Sequence, residues 1–489
     1  MILSGSSLWS PLASVIAFGL LVSMFFTLFV IPVLFVTVHG FKAKRTMGIA
    51  GAVVALALLA GMPIMSSAQT RTVTLEEAIR MAQQQNRTVR MAHLKVTEAQ
   101  AKLTQARADY FPRVTNESHA LHMDDRQSLT IPQGSLGTST QNQQIPNKDV
   151  ALELGKQNIF ISTTTVAQPL SQLFKIHAGV GAAHAEIAQA RADAERTENE
   201  VEFNVKKLYY NLLTLEQRRK AATLRIHAGE EKLAEARDAV AAGAALDVQV
   251  QEGTAEIAEA QNGLGSLEDT EEDLKADLAD LVGLPTESDF ALLPPAEAPV
   301  FVVSDRADLR HRAMTSNPEI ASAQSTIAKA SAGVRAARLE FVPEISLFAE
   351  HVYQSGVPLL PDNSATIGVR LEWTLSEFGK RTGQIKERKS QLEQAQENLR
   401  QTQDHVQIEI DKTLRKLRRS ETALKAAQAA VSARTEAQRL SSDQVEAKTA
   451  NASTLSETKA KLAEAESQLF EVHMEQATDE AELEKLLGK

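Results

Sequence analysis

Two stretches of this chain share one pattern, and together they decide the fold. The first begins Leu170-Ser-Gln-Leu-Phe-Lys175 and ends Leu281-Val-Gly283, and the second begins Leu375-Ser-Glu-Phe-Gly-Lys380 and ends Leu486-Leu-Gly488. The second follows the first at a constant offset of 205 residues (375 − 170), without a gap. An insertion would rotate one helical face away from its neighbours. The sequence therefore predicts an internal duplication with fixed helix lengths.

Apolar residues recur at helical spacing in both parts of each copy. In the first copy the two sets are Val201, Val205, Leu208, Leu212 and Leu215, and Leu264, Leu267, Leu274, Leu278 and Leu281. Steps of three and four residues, broken once at Glu271, form a heptad pattern, typical of helices packed along their length. Each copy is therefore predicted to be two long antiparallel helices, the first about 100 Å long. A plain long coiled coil fits this periodicity as well.

A short turn is predicted between the two helices of each copy. In the first copy, Gly243 weakens the helix and Asp247 is placed to cap the next one. In the second copy, Thr454-Leu-Ser-Glu457 has the pattern of a capping box. Both copies are therefore expected to end in a tight helical tip.

A shorter helical stretch precedes each copy and is itself repeated, at an offset of 231 residues (317 − 86). It is opened by Thr74-Leu-Glu-Glu77, another capping-box pattern, and runs to about Asp109. Pro112 and its counterpart Pro343 follow these helices. Proline cannot continue a helix, so both are expected to stop there.

Residues with alternating character follow the second of these prolines. Ile367, Val369, Leu371 and Trp373 alternate with polar residues or glycine. A period of two predicts a strand with one apolar and one polar face. We expect the four apolar residues to form the lipid-facing side of a β-barrel strand.

Three further stretches occupy corresponding places and alternate less cleanly, at residues 113–123, 158–167 and 344–353. Each half of the chain is thus predicted to contribute one β-hairpin. The two offsets differ by 26 residues (231 − 205), so the first hairpin has the longer connection. That surplus, around residues 124–156, is polar and is expected to be a surface loop.

The N-terminal part has two apolar runs. Residues 12–38 are long enough to span a bilayer. The second run ends at Ser66-Ser-Ala68, whose small residues suit a signal-peptide cleavage site. We predict a transmembrane-like extension at 1–46 and a signal peptide at 47–68. The extension is interpreted as a gene fusion or a start site placed too early, with an ordinary membrane anchor as the alternative.

The remaining chain divides into two repeats. The first repeat is predicted at 69–283 and the second at 309–489. Between them, residues 284–308 contain four prolines and are predicted to be a linker.

Composition excludes several functions. The net charge is −10, so there is no basic excess to suggest a nucleic-acid partner. The chain has no cysteine, which excludes disulfides and thiolate metal sites. His177 and His184 lie seven residues apart without acidic partners at metal spacing, and no phosphate-binding glycine loop is present. We expect no enzyme activity, no cofactor and no metal.

Four strands cannot close a barrel, because the smallest transmembrane barrels have about eight. Unpaired strand edges are not tolerated in hydrocarbon, so the chain is expected to oligomerise. Three copies would supply twelve strands, and the helices would continue the barrel as a tube. In this order of elements, residues 74–489 resemble the TolC-like outer-membrane efflux channels. The residues that carry the resemblance are Leu75-Glu-Glu-Ala-Ile79, Asn86, Pro112, Pro343 and the tip Val240-Ala-Ala-Gly243 before Asp247-Val248.

The resemblance implies a mainly α fold with β structure. It implies a homotrimer with a 12-stranded outer-membrane β-barrel, continued by an α-helical barrel in the periplasm. Such a channel serves a tripartite efflux or type I secretion system and performs no chemistry. Its implied partners are outer-membrane lipid, a periplasmic adaptor and an inner-membrane pump. Residues 11–34 resemble the last transmembrane helix of a resistance-nodulation-division pump, which favours that pump class.

The family has an acidic constriction near the periplasmic end of the channel. It aligns approximately with Glu457, whose repeat mate is Glu252. We hypothesise that these two residues, with Asp247, gate the closed end. A capping role for Asp247 and Glu457 is the competing interpretation.

Docking of the adaptor is expected at the helical tips. The residues placed there are Gly243 and Ala244 in the first copy, and Lys448 and Thr449 in the second. Lys448 stands where the family usually has glycine, so the second tip is expected to turn differently.

Two other classes of protein remain open. A periplasmic adaptor, or a membrane-anchored helical structural protein, would also have long helical hairpins. An adaptor, however, follows its hairpin with small β domains rich in glycine and β-branched residues. This chain has two hairpins and ends directly after the second.

Overall fold

The computed structural model describes residues 71–285, 288, 290–294, 305–357 and 360–488, which are mainly helical. The predicted extension at 1–46 and signal peptide at 47–68 lie outside these residues. In chain order the elements are β1 (Arg71–Val73), α1 (Leu75–Gln85), α2 (Arg87–Ala108), β2 (Arg113–His122), β3 (Gln127–Ile131), β4 (Val150–Leu154), β5 (Asn158–Pro169), α3 (Leu173–Ala241), α4 (Asp247–Val282), β6 (Phe290–Leu292), α5 (Arg306–Ser316), α6 (Pro318–Leu339), β7 (Glu344–Ser355), β8 (Asn363–Glu372), α7 (Lys380–Glu446) and α8 (Ala452–Leu486).

The principal sheet has four antiparallel strands in the order β2-β5-β7-β8. One row across it is Val114, Val166, Ala349 and Ile367, each opposite the next. Two hairpins, β2-β5 and β7-β8, are therefore joined side by side through β5 and β7. The strand bounds agree with the four predicted strands within a few residues, except that Trp373 lies just beyond β8.

The prediction of a surface loop at 124–156 was wrong in one respect. This segment contains a second hairpin, in which Leu129 of β3 lies opposite Leu152 of β4. Each strand is only five residues long, and so short an alternation does not stand out from a polar background. The sheet therefore has a structured extension on its first hairpin.

Two helices run unbroken through the helical part. The helix α3 has 69 residues and α7 has 67. The helix α3 packs against α2, α4, α6 and α8, while α7 packs against α6 and α8. Pairs of short helices thus line the long ones, and α6 and α8 lie between α3 and α7.

The helix predicted from Thr74 to about Asp109 is divided at Asn86. Its start is as expected, because Thr74 Oγ1 accepts a hydrogen bond from Glu77 N at 3.2 Å. Asn86, only 7% exposed, caps α2 by accepting from Thr88 N and Val89 N. Its Nδ2 also donates to Leu281 O, at 2.9 Å. One side chain therefore begins α2 and holds it against the end of α4.

The same junction occurs in the second half. Asn317, 4% exposed, accepts from Glu319 N and Ile320 N and donates to Leu486 O at 3.0 Å. The adjoining Gly488 is left-handed (φ +74°), and a Cβ there would lie 2.2 Å from Ser316 O. Only glycine permits this approach. Gly283, directly after α4, and Gly488, two residues after α8, are thus parts of tightly packed joints.

The predicted heptad residues form the core beside these joints. Val201, Val205 and Leu212 are at most 6% exposed and pack with Leu278. A second cluster surrounds α7 and consists of Leu309, Ala313, Ile320, Val406, Ile410, Leu414, Leu417, Leu483 and Leu487. The periodicity therefore identified the buried seam correctly.

The predicted linker at 284–308 contains a strand. Its described part includes β6, which pairs in parallel with β1, Thr72 lying opposite Ala291. Tyr209 of α3 is fully buried, and its hydroxyl lies 3.0 Å from Val73 O and 2.7 Å from Leu293 O. Burial raises the pKa of this hydroxyl to about 12. The N-terminal strand and the linker are thus fixed to α3.

Within the described ranges, no helix is both long enough and apolar enough to cross a bilayer.

Replacing Asn317 by alanine should lower the free energy of unfolding by about 2–4 kcal/mol. The change removes the cap of α6 and leaves Leu486 O without its buried donor. Thermal unfolding in detergent, followed by circular dichroism, measures the loss. Asn451→Ala is the matched control, because Asn451 precedes α8 but makes no side-chain capping bond. Equal losses in the two variants would contradict the role given to Asn317.

Candidate functional site

Two helical tips form one end of the molecule, and their backbones follow the same path. In the first tip, Gly243 N donates to Val240 O and Ala244 N donates to Ala239 O, at 2.9 and 2.8 Å. In the second tip, the same two bonds join Lys448 to Val445 and Thr449 to Gln444, at 3.0 and 2.9 Å. Each bond has its counterpart 205 residues later.

The expectation that Lys448 would make the second tip turn differently was wrong. Lys448 adopts φ +60° and Gly243 adopts φ +70°, both in the left-handed region. A non-glycine residue pays about 1–2 kcal/mol for this conformation. This cost is smaller than the free energy gained when the two long helices pack, so Lys448 adopts the same turn as Gly243.

The two tips have the same shape and different chemistry. All four predicted docking residues are exposed: Gly243, Ala244, Lys448 and Thr449. The first tip continues into the apolar Leu246 and Val248, which are 72% and 52% exposed. Their counterparts in the second tip are the polar residues Asn451 and Ser453. A partner that contacts both tips therefore meets one apolar and one polar surface.

The capping roles inferred for the tip acids were wrong. The residue that precedes α4 is Leu246, so Asp247 is the first helical residue and makes no capping bond. The helix α8 begins at Ala452, two residues before Thr454, so the proposed capping box lies inside the helix. A sequence pattern places such a box only within a few residues. The interpretation that competed with gating is thereby removed for Asp247 and Glu457.

The three candidate gate residues have different environments. Glu457 pairs with Lys461 at 2.5 Å, and this hydrogen bond, helped by the charge of Lys232, lowers the pKa of Glu457. Asp247 and Glu252 are exposed and make no side-chain hydrogen bond or ion pair with any described residue. No such bond joins the three acids to one another within the protomer. The uncompensated negative charge therefore lies on α4.

The sheet has two chemically different faces. We call the side that bears Ile367, Val369 and Leu371 the uncharged face, because on that side β2, β5, β7 and β8 carry no Asp, Glu, Lys or Arg. These three residues are 79%, 66% and 64% exposed. The opposite face carries the charged residues of these strands, namely Arg113, Glu117, Glu344, Glu350, Arg370 and Glu372.

Polar residues on the uncharged face are bonded to one another. Asn116 Nδ2 donates to Ser162 Oγ and Thr164 Oγ1, at 3.1 and 2.9 Å. Ser118 Oγ donates to Asn116 Oδ1 at 2.9 Å. These hydrogen bonds lower the free-energy cost of placing the polar side chains in apolar surroundings, because fewer of their donors and acceptors are left without a partner.

The family model described as outer membrane efflux protein matches residues 78–284 and 309–489, most of the chain. The chain belongs to this family. The resemblance inferred from the order of elements is confirmed, and the outer-membrane efflux function is supported over the periplasmic adaptor. Family members are outer-membrane proteins, in agreement with the predicted location. A comparison with curated protein sequences gave no significant match.

Solved outer-membrane channels have a similar fold. The Campylobacter jejuni channel CmeC has 15% identity and a TM-score of 0.68, over 85% of each chain. The Vibrio cholerae outer membrane protein VceC has 17% identity and a TM-score of 0.65, over 85% of this chain and 96% of its own. The Neisseria gonorrhoeae channel MtrE, solved in an open state, has 17% identity and a TM-score of 0.64, over 85% and 88%.

A buried carboxyl group in this efflux protein was missed at the level of sequence. Asp479 of α8 is 6% exposed, and Ser420 Oγ donates to its Oδ2 at 3.4 Å. Lys416 Nζ lies 3.9 Å from Oδ1. Burial raises the pKa of Asp479 to about 6, with Lys416 opposing the rise. The repeat mates of Asp479 and Ser420 are Leu274 and Leu215, so a polar contact replaces an apolar one in the second copy.

The two histidines of α3 also have partners that the sequence did not indicate. His177 Nδ1 lies 3.2 Å from Tyr110 Oη, and His184 Nε2 lies 3.2 Å from Arg107 Nη2. His184 thus contacts the last turn of α2, and His177 contacts a residue two positions beyond that helix. Among the described residues, no group of acids and histidines is arranged to hold a metal ion.

Asp479 should make stability fall as pH rises from about 4 to about 7. Its carboxyl group has an ordinary pKa of 3.8 and a folded pKa of about 6, so in this range the folded protein binds more protons than the unfolded chain. The melting temperature of Asp479→Asn, relative to wild type, should therefore increase across this range. Glu466→Gln is the control, because it removes an exposed carboxyl group from the same helix. A constant difference for Asp479→Asn would contradict the assignment.

Proposed function

We propose that three copies of this chain form a passive conduit through the outer membrane and the periplasm. The observation that carries this proposal is the sheet. It has an uncharged face with large exposed apolar side chains, and no described strand pairs with the outer edge of β2 or β8. Hydrocarbon does not tolerate unpaired edges, so each edge needs a partner strand.

The direction of the strands supports closure by identical copies. Neighbouring strands are antiparallel throughout, so β2 and β8 run in opposite directions. The strand β8 of one copy can therefore pair with β2 of the next in the same antiparallel pattern. Three sheets give twelve strands, enough for a membrane barrel. The uncharged face, with Ile367, Val369, Leu371 and Trp373, would then contact lipid, and the charged face would line the lumen.

The helices form the periplasmic part of the proposed conduit. In three copies, the walls built on α3 and α7 continue the barrel as a tube, and the internal duplication accounts for the pseudo-equivalent helices. The tips at Gly243, Ala244, Lys448 and Thr449 contact a periplasmic adaptor. An inner-membrane pump of the resistance-nodulation-division type supplies the energy, and the channel itself performs no chemistry.

Engineered cysteines can test the assembly, because the chain has none of its own. Ala120→Cys on β2 is combined in turn with cysteines at Asn363, Ala365 and Ile367 on β8, which scan the register on one face. Opposed residues of antiparallel strands approach closely enough for a disulfide. On a non-reducing gel, we expect at least one pair to give a ladder of cross-linked species that ends at three chains.

The matched control is Ala120→Cys with Ala349→Cys. Ala349 lies on the inner strand β7, between β5 and β8, so it cannot lie opposite an edge strand of another copy. This pair should remain monomeric on the gel. A ladder that ends at two chains, or no link at any register, would refute the trimer.

The gate is proposed at Asp247, Glu252 and Glu457. Neutralising Glu252 should raise single-channel conductance more than neutralising Glu457, because Lys461 and Lys232 already offset the charge of Glu457. Conductance of Glu252→Gln and Glu457→Gln in planar bilayers measures this order. Glu466→Gln serves as a control on α8. If Glu252→Gln conducts like wild type, the acids of the tips do not limit conduction.

A further inference from the structure

The segment that joins β8 to α7 is unusually apolar and exposed. It comprises Trp373-Thr-Leu-Ser-Glu-Phe-Gly379. Trp373, Leu375 and Phe378 are 57%, 80% and 100% exposed. Burying the Phe378 side chain would stabilise the protein by about 1.5–3 kcal/mol, and full exposure forgoes this contribution. The described part of the chain therefore leaves these three apolar side chains largely uncovered.

The backbone of this segment is also strained. Phe378 has φ +46° and the following Gly379 has φ +94°, so two consecutive residues are left-handed. This conformation is uncommon for a bulky aromatic residue. The repeat mate of Phe378 is Leu173, which is the first residue of α3 and has no positive φ. The strain thus belongs to the second copy, and it places the ring in solvent instead of continuing α7.

In sequence, the segment continues the apolar series of the uncharged face. Trp373 and Leu375 keep the odd numbering of Ile367, Val369 and Leu371, whose side chains lie on that face. The apolar series therefore extends beyond the last paired residue of β8. An apolar band that ends in aromatic residues is typical of a barrel at the edge of a membrane.

Charged residues follow the apolar ones immediately. Lys380 and Arg381 begin α7, and the side chain of Lys380 is 67% exposed. Arg381 Nε donates to Glu377 Oε2 at 2.7 Å, and its guanidinium lies 5.7 Å from the centre of the Phe341 ring. A cleft of about 290 Å³ at this junction is lined by both cations and acids, including Lys175 and Glu377.

This order of groups matches one leaflet of a bilayer. Aliphatic and aromatic side chains suit the acyl boundary, and Lys and Arg suit the phosphate level because their long stems let the charge reach it. A cleft with both signs of charge suits a zwitterionic headgroup better than it suits an anion alone. A second copy of the chain is the other candidate cover, but the chemistry of the series favours lipid.

We propose that residues 373–378 are a membrane anchor. Leu375 and Phe378 insert among the acyl chains of the leaflet that adjoins the helical part, while Lys380 contacts phospholipid phosphates and Arg381 holds Glu377 beside it. The anchor rests on the proposed function, since it needs the sheet to lie in a membrane. It fixes the depth of the sheet at its helical end.

Tryptophan fluorescence can test the anchor, because Trp9 and Trp373 are the only tryptophans of the chain. In a Trp9→Phe, Trp373→Phe background, Phe378→Trp provides a single reporter with little change in shape. The trimer is reconstituted in phosphatidylcholine vesicles with and without bromine on the acyl chains. We expect bromolipid to quench this reporter as strongly as it quenches Trp373 in the Trp9→Phe protein.

Leu246→Trp in the same background is the matched control. Leu246 is also highly exposed, but it lies at the helical tip, and its reporter should not be quenched. Quenching at 373 without quenching at 378 would overturn the anchor and leave the barrel intact, with a second copy as the cover. No quenching at either position would overturn the lipid-facing sheet as well. Equal quenching at 378 and 246 would also overturn the anchor, because it would show adsorption without depth.

Discussion

Two buried asparagines hold the helical part together, and the long helices depend on them. Asn86 and Asn317 each begin one short helix and bond to the last carbonyls of another. Because of these bonds, two short helices meet end to end beside one unbroken helix. Glycine stands within two residues of each ending helix, at Gly283 and Gly488, since a side chain there would collide with the opposite segment. The long helices α3 and α7 are thereby packed on both sides of each junction.

The asymmetry between the two copies is concentrated in their polar contacts. Tyr209 bonds to β1 and the linker in the first half, whereas its counterpart Leu414 is part of an apolar cluster. Asp479 and Ser420 form a buried contact where the first half has leucines. The two copies thus share a backbone arrangement and differ in their buried polar groups. In the first copy the hydroxyl group of Tyr209 binds β1 and the linker, and in the second copy the carboxyl group of Asp479 lies between two helices.

Much of the fold could be predicted from the sequence, because long periodic segments give a strong signal. The heptad residues Val201, Val205 and Leu212 are buried as expected, and the first long helix has the expected length. The break at Asn86 was missed, because the apolar period continues across it and asparagine alone does not reveal a bond to Leu281 O. The β3-β4 hairpin was missed because its strands are short.

The candidate site was less predictable, because it depends on contacts distant in sequence. The exposure of the tip residues could be predicted from the break between two helical segments. The shared face of Ile367, Val369 and Leu371 could be predicted from their period of two. The pairing of Glu457 with Lys461 was available as an i, i+4 spacing, but its consequence for the charge at the tip required the position of Lys232. The predicted capping roles of Asp247 and Glu457 were wrong, because a capping role requires the exact first residue of the helix and the sequence locates that residue only within a few positions.

The tips also bear on how such a protein can diversify. Their turns are built by backbone hydrogen bonds and one left-handed residue, and that residue is glycine in one tip and lysine in the other. Shape is thus separated from side-chain identity. Substitutions at the neighbouring surface positions can accumulate without altering helix length or the alignment of the two copies. The tips are therefore a part of the molecule where recognition can evolve while the architecture stays constant.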